Sequence, residues 1–232
     1  MIDRRSFIGT LGGSLVFAVA TPLTTAQPRT TLRHIGVLSS TSRPPPGEVS
    51  PVWADLHELG WIEGRNLLVD RRYTNGKAEL MGPLADELVR LKVEIIVTSS
   101  TEAAIAAKNA TTNIPIVMYA AGDPVRTGLV ASLSRPGGNV TGYSTFAPEI
   151  DAKRLALLHE SLPAAQRVGV LVNPNNPIFA IRREEDEPVY RSLGMQPFFV
   201  DAASAEQLEA AVADVARRGA QALLVGSDNL FA

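Results

Sequence analysis

The chain contains no cysteine and only three histidines, His34, His57 and His159. The lack of cysteine excludes disulfides, thiol catalysis, cysteine-ligated metals and lipid attachment through an N-terminal cysteine. The histidines lie far apart, none has metal-ligand spacing, and none accompanies a nucleophile motif, so each is interpreted as a surface or half-buried side chain. No Gly-x-Gly-x-x-Gly follows the first predicted strand, which argues against a dinucleotide. We therefore predict a protein that is not an enzyme and has no cofactor and no metal.

The chain also lacks a large excess of either sign of charge. The 232 residues include 22 Lys and Arg against 24 Asp and Glu, a formal net charge of -2. A nucleic-acid partner usually requires a basic face, so none is predicted. No stretch after the first 26 residues is apolar enough to cross a membrane. With 45% hydrophobic and 20% charged residues, the composition is that of a globular protein with one large or two smaller domains.

Residues 1–26 have the features of an export signal. Arg4 and Arg5 precede an apolar run that extends to Ala20, and Thr24-Thr25-Ala26 provides small residues suited to cleavage. The arginine pair followed by Ser and Phe resembles a twin-arginine signal, and an ordinary secretory signal with a basic start is the alternative. Both predict cleavage near Ala26 and a periplasmic mature protein.

After the signal, strand and helix patterns alternate, and the strand interiors are apolar. This alternation predicts parallel sheets covered by helices on both faces, an α/β fold. The pattern restarts after Thr145, so we predict a first α/β lobe over 27–145 and a second over 146–232. Predicted strands cover 34–40, 66–73, 95–97, 114–119, 140–144, 167–173, 196–201 and 222–225; predicted helices cover 49–59, 77–91, 101–112, 123–133, 149–162, 178–193 and 205–218. Trp53 shares a helical stripe with Leu56, which favours a place in the core.

Polar residues follow several predicted strands at their carboxyl ends, where ligands bind in parallel sheets. These residues are Ser39 and Ser40, Thr98 to Thr101, Asp123, and Ser144 with Thr145. Ser99 and Glu102 have the spacing of a capping box, and the helix that begins there offers unpaired N–H groups to an anion. The alternative is that Ser99 and Asp123 only cap helices and that turn chemistry alone places the others.

Several segments of the chain carry distinctive motifs. They are Ile35-Gly36-Val37-Leu38, Leu59-Gly60-Trp61-Ile62-Glu63-Gly64-Arg65-Asn66, Pro115-Ile116-Val117, Asp123-Pro124-Val125, Gly128-Leu129-Val130, and Leu133-Ser134-Arg135-Pro136-Gly137-Gly138-Asn139-Val140-Thr141-Gly142. Together these segments resemble the ABC-transporter substrate-binding protein family that includes tryptophan- and phenylalanine-binding members. The combination of Arg-Pro-Gly-Gly-Asn-Val-Thr-Gly with Gly-Trp-x-Glu-Gly-x-Asn is specific, and the resemblance covers about residues 33–232.

The resemblance implies a two-lobed periplasmic-binding-protein-like fold that closes on a small ligand and delivers it to an ABC permease in the inner membrane. It implies that the protein is a monomer that does no chemistry on the ligand. The resemblance implies that a carboxylate of the ligand is held by six hydroxyl residues: Ser39, Ser40, Thr98, Ser99, Ser100 and Thr101. Asp123 would pair with an ammonium group. Ser144 and Thr145 would lie near the crossover between the lobes, and the second-lobe contacts would be Asn173 and Asp228.

Two features depart from the family pattern. Members often have a proline where this chain has Glu102, and a carboxylate in the first helical turn competes for the positive end of the helix dipole. Members are also longer and cross back to the first lobe, so the chain resembles a C-terminally truncated member with an incomplete second lobe. A ligand-sensing receptor ectodomain is the alternative function. A transcription regulator would need a helix-turn-helix before His34, where the signal lies.

Overall fold

The computed structural model describes residues 32–45, 51–145 and 148–231, with the backbone alone for 148–152. The predicted export signal, residues 1–26, lies outside the described residues. From Leu32 onward the chain forms one compact unit that contains two parallel sheets. Within the described ranges, no helix has the length and apolarity needed to cross a membrane.

Five strands form the first sheet, in the order β2-β1-β3-β4-β5. The strands are β1 Arg33–Ser39, β2 Leu67–Tyr73, β3 Ile95–Thr98, β4 Ile116–Ala121 and β5 Val140–Ser144, all parallel. The helices of this unit are α1 Pro51–Glu58, α2 Met81–Arg90 and α3 Thr101–Ala110. Because every strand runs the same way, the carboxyl ends of all five lie at one edge of the sheet.

The core of this unit lies between the sheet and its helices. Leu38 and Ile96 are fully buried on the central strands and pack in one cluster with Leu88 of α2. Helix α3 contributes mainly small side chains, among them Ala103 and Ala107, which are also fully buried. Small residues allow a helix backbone to approach the sheet closely.

The second sheet has three parallel strands in the order β7-β6-β8. These are β6 Arg167–Val172, β7 Gln196–Asp201 and β8 Ala222–Val225, accompanied by helices α4 Pro148–Ser161, α5 Pro177–Ser192 and α6 Leu208–Arg217. Val168 and Tyr190 lie at the centre of one core cluster of this sheet. The predicted class, parallel sheets flanked by helices, is confirmed. The predicted boundary between residues 145 and 146 stays a prediction.

The predicted helix over 123–133 is wrong. The chain makes turns over 124–128 instead, and Gly128 adopts a φ of +71° that ends the helical path after one turn. Thr127 N–H donates to the Asp123 carbonyl, and Leu129 and Val130 then enter the core. Burial of those two apolar side chains outweighs continuation of a short helix.

The predicted cap of α3 is displaced by one residue. Ser100, not Ser99, is the N-cap, and its Oγ accepts from the Ala103 N–H at 3.2 Å. Glu102 therefore falls one position short of the place that a capping-box glutamate requires. The Ser99 side chain instead faces the end of β1.

Trp53 is not a core residue. Helix α1 has no buried residue, and Trp53 is half-buried, with the Arg71 guanidinium 4.8 Å from its ring centre. Its apolar ring is covered by this cation–π contact. The stripe shared with Leu56 therefore reflects a surface-lying helix.

Candidate functional site

Hydroxyl groups join the carboxyl ends of β1 and β3. Ser99 Oγ donates to Ser39 Oγ at 2.8 Å, and Ser39 Oγ lies 2.9 Å from Thr41 Oγ1. Thr41 Oγ1 in turn donates to the Ser42 carbonyl at 3.3 Å. The two serines meet because β1 and β3 are adjacent parallel strands whose last residues lie side by side.

The N-terminus of α3 lies beside this row of hydroxyls. Ser100 Oγ accepts from the Ala103 N–H, and Thr101 Oγ1 accepts a 2.9 Å hydrogen bond from the Gly122 N–H, just past the end of β4. Both side chains are buried. Since the Thr101 oxygen accepts from an N–H group, its hydroxyl proton is free to be donated to an anion at the positive end of the helix, whereas the Ser100 hydroxyl hydrogen-bonds to the Glu102 carboxyl group.

Amide and carboxylate side chains collect at the ends of β6 and β8. Asn173 Nδ2 donates to Asp228 Oδ1 at 3.2 Å, and Asn176 Nδ2 donates to Asp228 Oδ2 at 2.8 Å. Asn176 also caps α5, since its Oδ1 accepts from the Ile178 N–H at 3.2 Å. Asp228 is thus held in place from two sides.

The strand ends of the two sheets face each other and touch. Asn173 Nδ2 also lies 3.4 Å from Glu102 Oε1 on α3, and Asn229 Nδ2 donates to the Ser99 carbonyl. Further out, the Arg126 guanidinium pairs with both carboxylate oxygens of Glu185. These contacts place the polar strand ends of one sheet against those of the other.

Two cavities lined by described residues lie at this junction. The first has a volume of about 170 Å³ and is lined by Ser100, Thr101, Ala120, Gly122, Thr145, Asn176, Ser227, Asp228 and Asn229. The second has a volume of about 20 Å³ and is lined by Ser40, Thr41, Thr74, Gly76, Ala78, Met81, Glu102, Asn173, Asn175, Ala203 and Leu230. Both sheets contribute residues to each cavity.

Larger hollows elsewhere are open grooves. One of about 700 Å³ lies beside α1 and includes Trp53, Trp61 and Arg71. Another of about 620 Å³ runs along α2 and α3 and includes Asp86 and Glu102. The 170 Å³ cavity remains the better candidate site because hydroxyls, amides and a carboxylate converge on it from the ends of parallel strands.

Glu102 has the most perturbed carboxyl group of the site. Burial raises its pKa to about 7, and the nearby charge of Asp228 adds to the rise. Hydrogen bonds from its own backbone N–H, Ser100 and Asn173 oppose the rise only partly. Its Oε2 atom is buried and has no hydrogen-bond partner among the described residues.

The predicted site residues divide into three groups. The first group lines the two cavities and comprises Ser40, Ser100, Thr101, Thr145, Asn173 and Asp228. Ser39 and Ser99 lie beside them, joined to each other. Thr98, Asp123 and Ser144 line neither cavity.

The three residues that line neither cavity make other contacts. Thr98 is fully buried in the sheet, and Ser144 Oγ donates to the Ala121 carbonyl at 3.0 Å. Asp123 Oδ1 accepts from the Arg126 N–H at 3.1 Å, and its Oδ2 lies 3.8 Å from Arg126 Nε. Asp123 therefore caps a turn and has a cation of its own beside it.

Sequence reasoning missed Glu102 and Asn176 as site residues. The sequence pattern indicates Glu102 only as a helix-capping residue, although its departure from the family's proline is a usable signal. Asn176 precedes Pro177, the first residue of α5, and an asparagine followed by proline is a recognisable helix start. Among the described residues no group of His, Asp or Glu could hold a metal ion.

Known proteins share this chain's sequence pattern. Residues 47–232 match the family model described as ABC transporter substrate binding protein. A tyrosine-binding protein from Clostridioides difficile (strain R20291) is 40% identical over 118 residues, which cover 51% of this chain and 34% of that protein. The match thus spans about a third of that relative's length.

Solved structures share the fold. A crystal structure of an ABC domain in complex with L-Trp from Streptococcus pneumonia superposes with a TM-score of 0.71 at 24% identity, covering 87% of this chain and 67% of that one. A conserved domain protein from Vibrio cholerae gives a TM-score of 0.71 at 25% identity, with coverages of 83% and 64%. The periplasmic-binding-protein-like fold implied by the sequence is confirmed. Because the family model matches most of its length, the chain belongs to the ABC transporter substrate binding protein family.

Proposed function

We propose that this chain is the extracytoplasmic substrate-binding component of an ABC importer and that it binds a small polar solute, an amino acid or a similar molecule, between its two sheets. One observation carries the proposal. The 170 Å³ cavity is lined by polar residues from the carboxyl ends of strands in both sheets, among them Thr101 and Asp228. A site built from two halves can close on its ligand by a hinge motion, as binding proteins do.

The lining suits a zwitterion. The N-terminus of α3, with the Thr101 hydroxyl, would hold the ligand carboxylate. Asp228 would accept from the ammonium group, in place of Asp123, whose carboxylate already lies beside Arg126. The volume is below the range of about 300–1,000 Å³ for drug-sized ligands, so the ligand would be of amino-acid size.

The remaining parts of the proposal follow from family membership. A tyrosine-binding relative and a relative in complex with L-Trp support an amino acid as ligand. Delivery to an ABC permease in the inner membrane, export to the periplasm by a signal within residues 1–26, and a lobe boundary near residues 145–146 are proposed on the same basis.

Isothermal titration calorimetry of the full chain against the common amino acids and small carboxylic acids tests the proposal. We expect at least one amino acid to bind, and Asp228→Asn to weaken it by about 10- to 100-fold. That loss corresponds to the roughly 1.5–3 kcal/mol typical of a hydrogen bond to a charged group.

Asp55→Asn is the matched control, because it removes an exposed carboxylate of α1 that lines neither strand-end cavity. Thermal unfolding of both variants shows whether they fold. An absence of binding across the whole panel, or equal affinities for Asp228→Asn and the wild-type chain, would contradict the proposal.

A further inference from the structure

The charged residues that line the hollows near Asn173 all have the same sign of charge. The charged side chains that line the 170 Å³ cavity, the 20 Å³ cavity and the 620 Å³ groove are Asp228, Glu102 and Asp86. All three are acidic, and no Lys, Arg or His from the described part of the chain lines any of these hollows. Asp86 is exposed to solvent, but a ligand whose one cation lies beside Asp228 would leave Glu102 without a cationic partner.

Asn173 faces two carboxylates at once. Its amide group donates toward Glu102 Oε1 at 3.4 Å and Asp228 Oδ1 at 3.2 Å, which uses the donors it has. Asp228 receives further hydrogen bonds from Asn176 and from the Leu230 N–H. Glu102 Oε2 receives none from the described residues, although it is buried. A buried carboxylate oxygen without a donor is costly, and a cation removes that cost.

The 20 Å³ cavity beside Glu102 has room for one small group. A volume of roughly 10–15 Å³ is enough for a single water molecule, so this cavity can hold an ammonium nitrogen or one nitrogen of a guanidinium group. Ser40, Thr41 and Thr74 contribute to the lining, and their oxygens are of the type that accepts from such a nitrogen.

From these observations we infer that the ligand carries a second cationic nitrogen group besides its α-ammonium group, as a basic amino acid does, and that Glu102 is the side chain that selects it. This inference rests on the proposed function, since it names the ligand class of the same site. The α-ammonium group would bind Asp228, and the side-chain cation would bind Glu102. A family member with an uncharged residue at this position would lack the second contact.

L-Arginine and L-citrulline provide the test, because citrulline has nearly the same shape and lacks the charge. Calorimetry of the full chain at pH 8 is expected to show arginine binding at least tenfold more tightly than citrulline. L-Lysine against L-norleucine is a second pair of the same design. The wild-type chain alone decides this point, so the result does not depend on whether a variant folds.

Glu102→Gln removes the charge and keeps the shape. We expect it to reduce the preference for arginine over citrulline to less than about threefold, while citrulline affinity stays within about threefold of wild type. Glu209→Gln is the control, because it removes one exposed carboxylate of α6 that lines none of the three hollows. It should keep the wild-type preference.

The pH dependence provides a readout that a purely structural role would not move. With a pKa of about 7 in the free protein, Glu102 is mostly protonated at pH 6 and mostly ionised at pH 8. Arginine affinity should therefore rise by roughly tenfold across that interval, with a smaller change for citrulline and none for Glu102→Gln. The other acidic groups near Glu102, Asp228 and Asp86, remain in both proteins.

The outcomes separate this inference from the proposed function. If citrulline, norleucine or other neutral amino acids bind as tightly as their cationic counterparts, the inference is wrong and the proposed function stands. If no amino acid binds at all, both are wrong. A preference for arginine that Glu102→Gln leaves intact would overturn the role given to Glu102.

Discussion

At the scale of single residues, the buried carboxyl group of Glu102 makes the stability of the fold depend on pH. Its folded-state pKa of about 7 lies above the ordinary value of 4.5. The folded chain therefore binds this proton more tightly than the unfolded chain does. Raising the pH from about 4.5 through 7 to about 8 removes the proton and destabilises the fold, by up to about 3 kcal/mol.

Glu102→Gln should remove this dependence. We expect the variant to be more stable than the wild-type chain at pH 8, and the difference to shrink to nothing at pH 4.5. Urea unfolding at a series of pH values measures it, with Glu209→Gln as the control for the loss of one surface charge. A constant difference between variant and wild type at all pH values would show that Glu102 does not titrate in this way.

Single residues are also where sequence reasoning is least complete. Ser100 and Thr101 can be predicted because they follow a strand, and strand ends of a parallel sheet share one edge, whereas Asp228 is predicted from the family resemblance. Asp123 follows a strand as well, but a nearby Arg126 holds its carboxylate at a turn. Glu102 differs from the family's proline, which is a sequence signal, but its contact with Asn173, 71 positions along the chain, cannot be predicted from a local pattern.

At the scale of elements, the pairing of β4 with β5 depends on a glycine. Gly142 lies opposite Met118 in the register of the two strands and has a φ of +133°. A Cβ atom at this position would lie 1.9 Å from the Met118 carbonyl oxygen, far inside any tolerated contact. The glycine in the Val-Thr-Gly segment of the family motif is therefore required because no larger residue fits there.

Gly142→Ala should separate the edge strand β5 from the sheet. We expect a loss of at least about 3 kcal/mol in unfolding free energy, because both the backbone conformation and the close approach are lost. Gly138→Ala is the matched control, since a Cβ atom added there would meet no described atom within 4 Å and its φ is not positive. Urea denaturation of both variants compares them, and equal losses would refute the steric explanation.

Most strands and helices are predicted with bounds that differ from the structure by two residues or fewer, although α2 begins at Met81 and not at Lys77. Runs such as Ile95–Val97 combine β-branched residues with clear polar ends, and the helical stripe of α2 is regular. The predicted helix over 123–133 is wrong because Gly128 and the burial of Leu129 and Val130 favour turns. Local propensity is a weak guide where a segment is short and its apolar residues have another place to pack.

At the scale of the whole molecule, the two sheet-containing units meet at a further close contact. Gly76, at the turn after β2, has a φ of +76°, and a Cβ atom there would lie 3.1 Å from Ser204 Cβ. Ser204 follows β7 of the other sheet. A methyl group at Gly76 would therefore press the two units apart.

Gly76→Ala and Gly64→Ala form a matched pair. Gly64 has nearly the same φ, +80°, but no described atom within 4 Å of the position that its Cβ would take. Both variants should lose about 1 kcal/mol from backbone strain, and Gly76→Ala should lose about 1 kcal/mol more from the contact. Urea unfolding measures the energies, and small-angle X-ray scattering should show a larger radius of gyration for Gly76→Ala alone. Identical behaviour of the two variants would exclude this contact as a constraint.

The overall architecture follows from the alternation of strand and helix patterns and from the family motifs. The arrangement of one sheet against the other does not, because it depends on contacts such as Asn229 with Ser99 and Arg126 with Glu185. These pairs join residues that are 130 and 59 positions apart. Periodicity along the chain has no information about such pairs.

The hydroxyl row at the ends of β1 and β3 has a direction. Thr41 Oγ1 donates its hydrogen bond to the Ser42 carbonyl. Ser39 Oγ must therefore be the donor to Thr41 Oγ1, and Ser99 Oγ is the donor to Ser39 Oγ. All the hydrogen bonds of the row are thus donated in the same direction, away from α3. The upstream end of this one-way row, Ser99 Oγ, has its hydrogen committed to Ser39 and keeps only lone pairs for other partners, among which is the hydroxyl group of Tyr119.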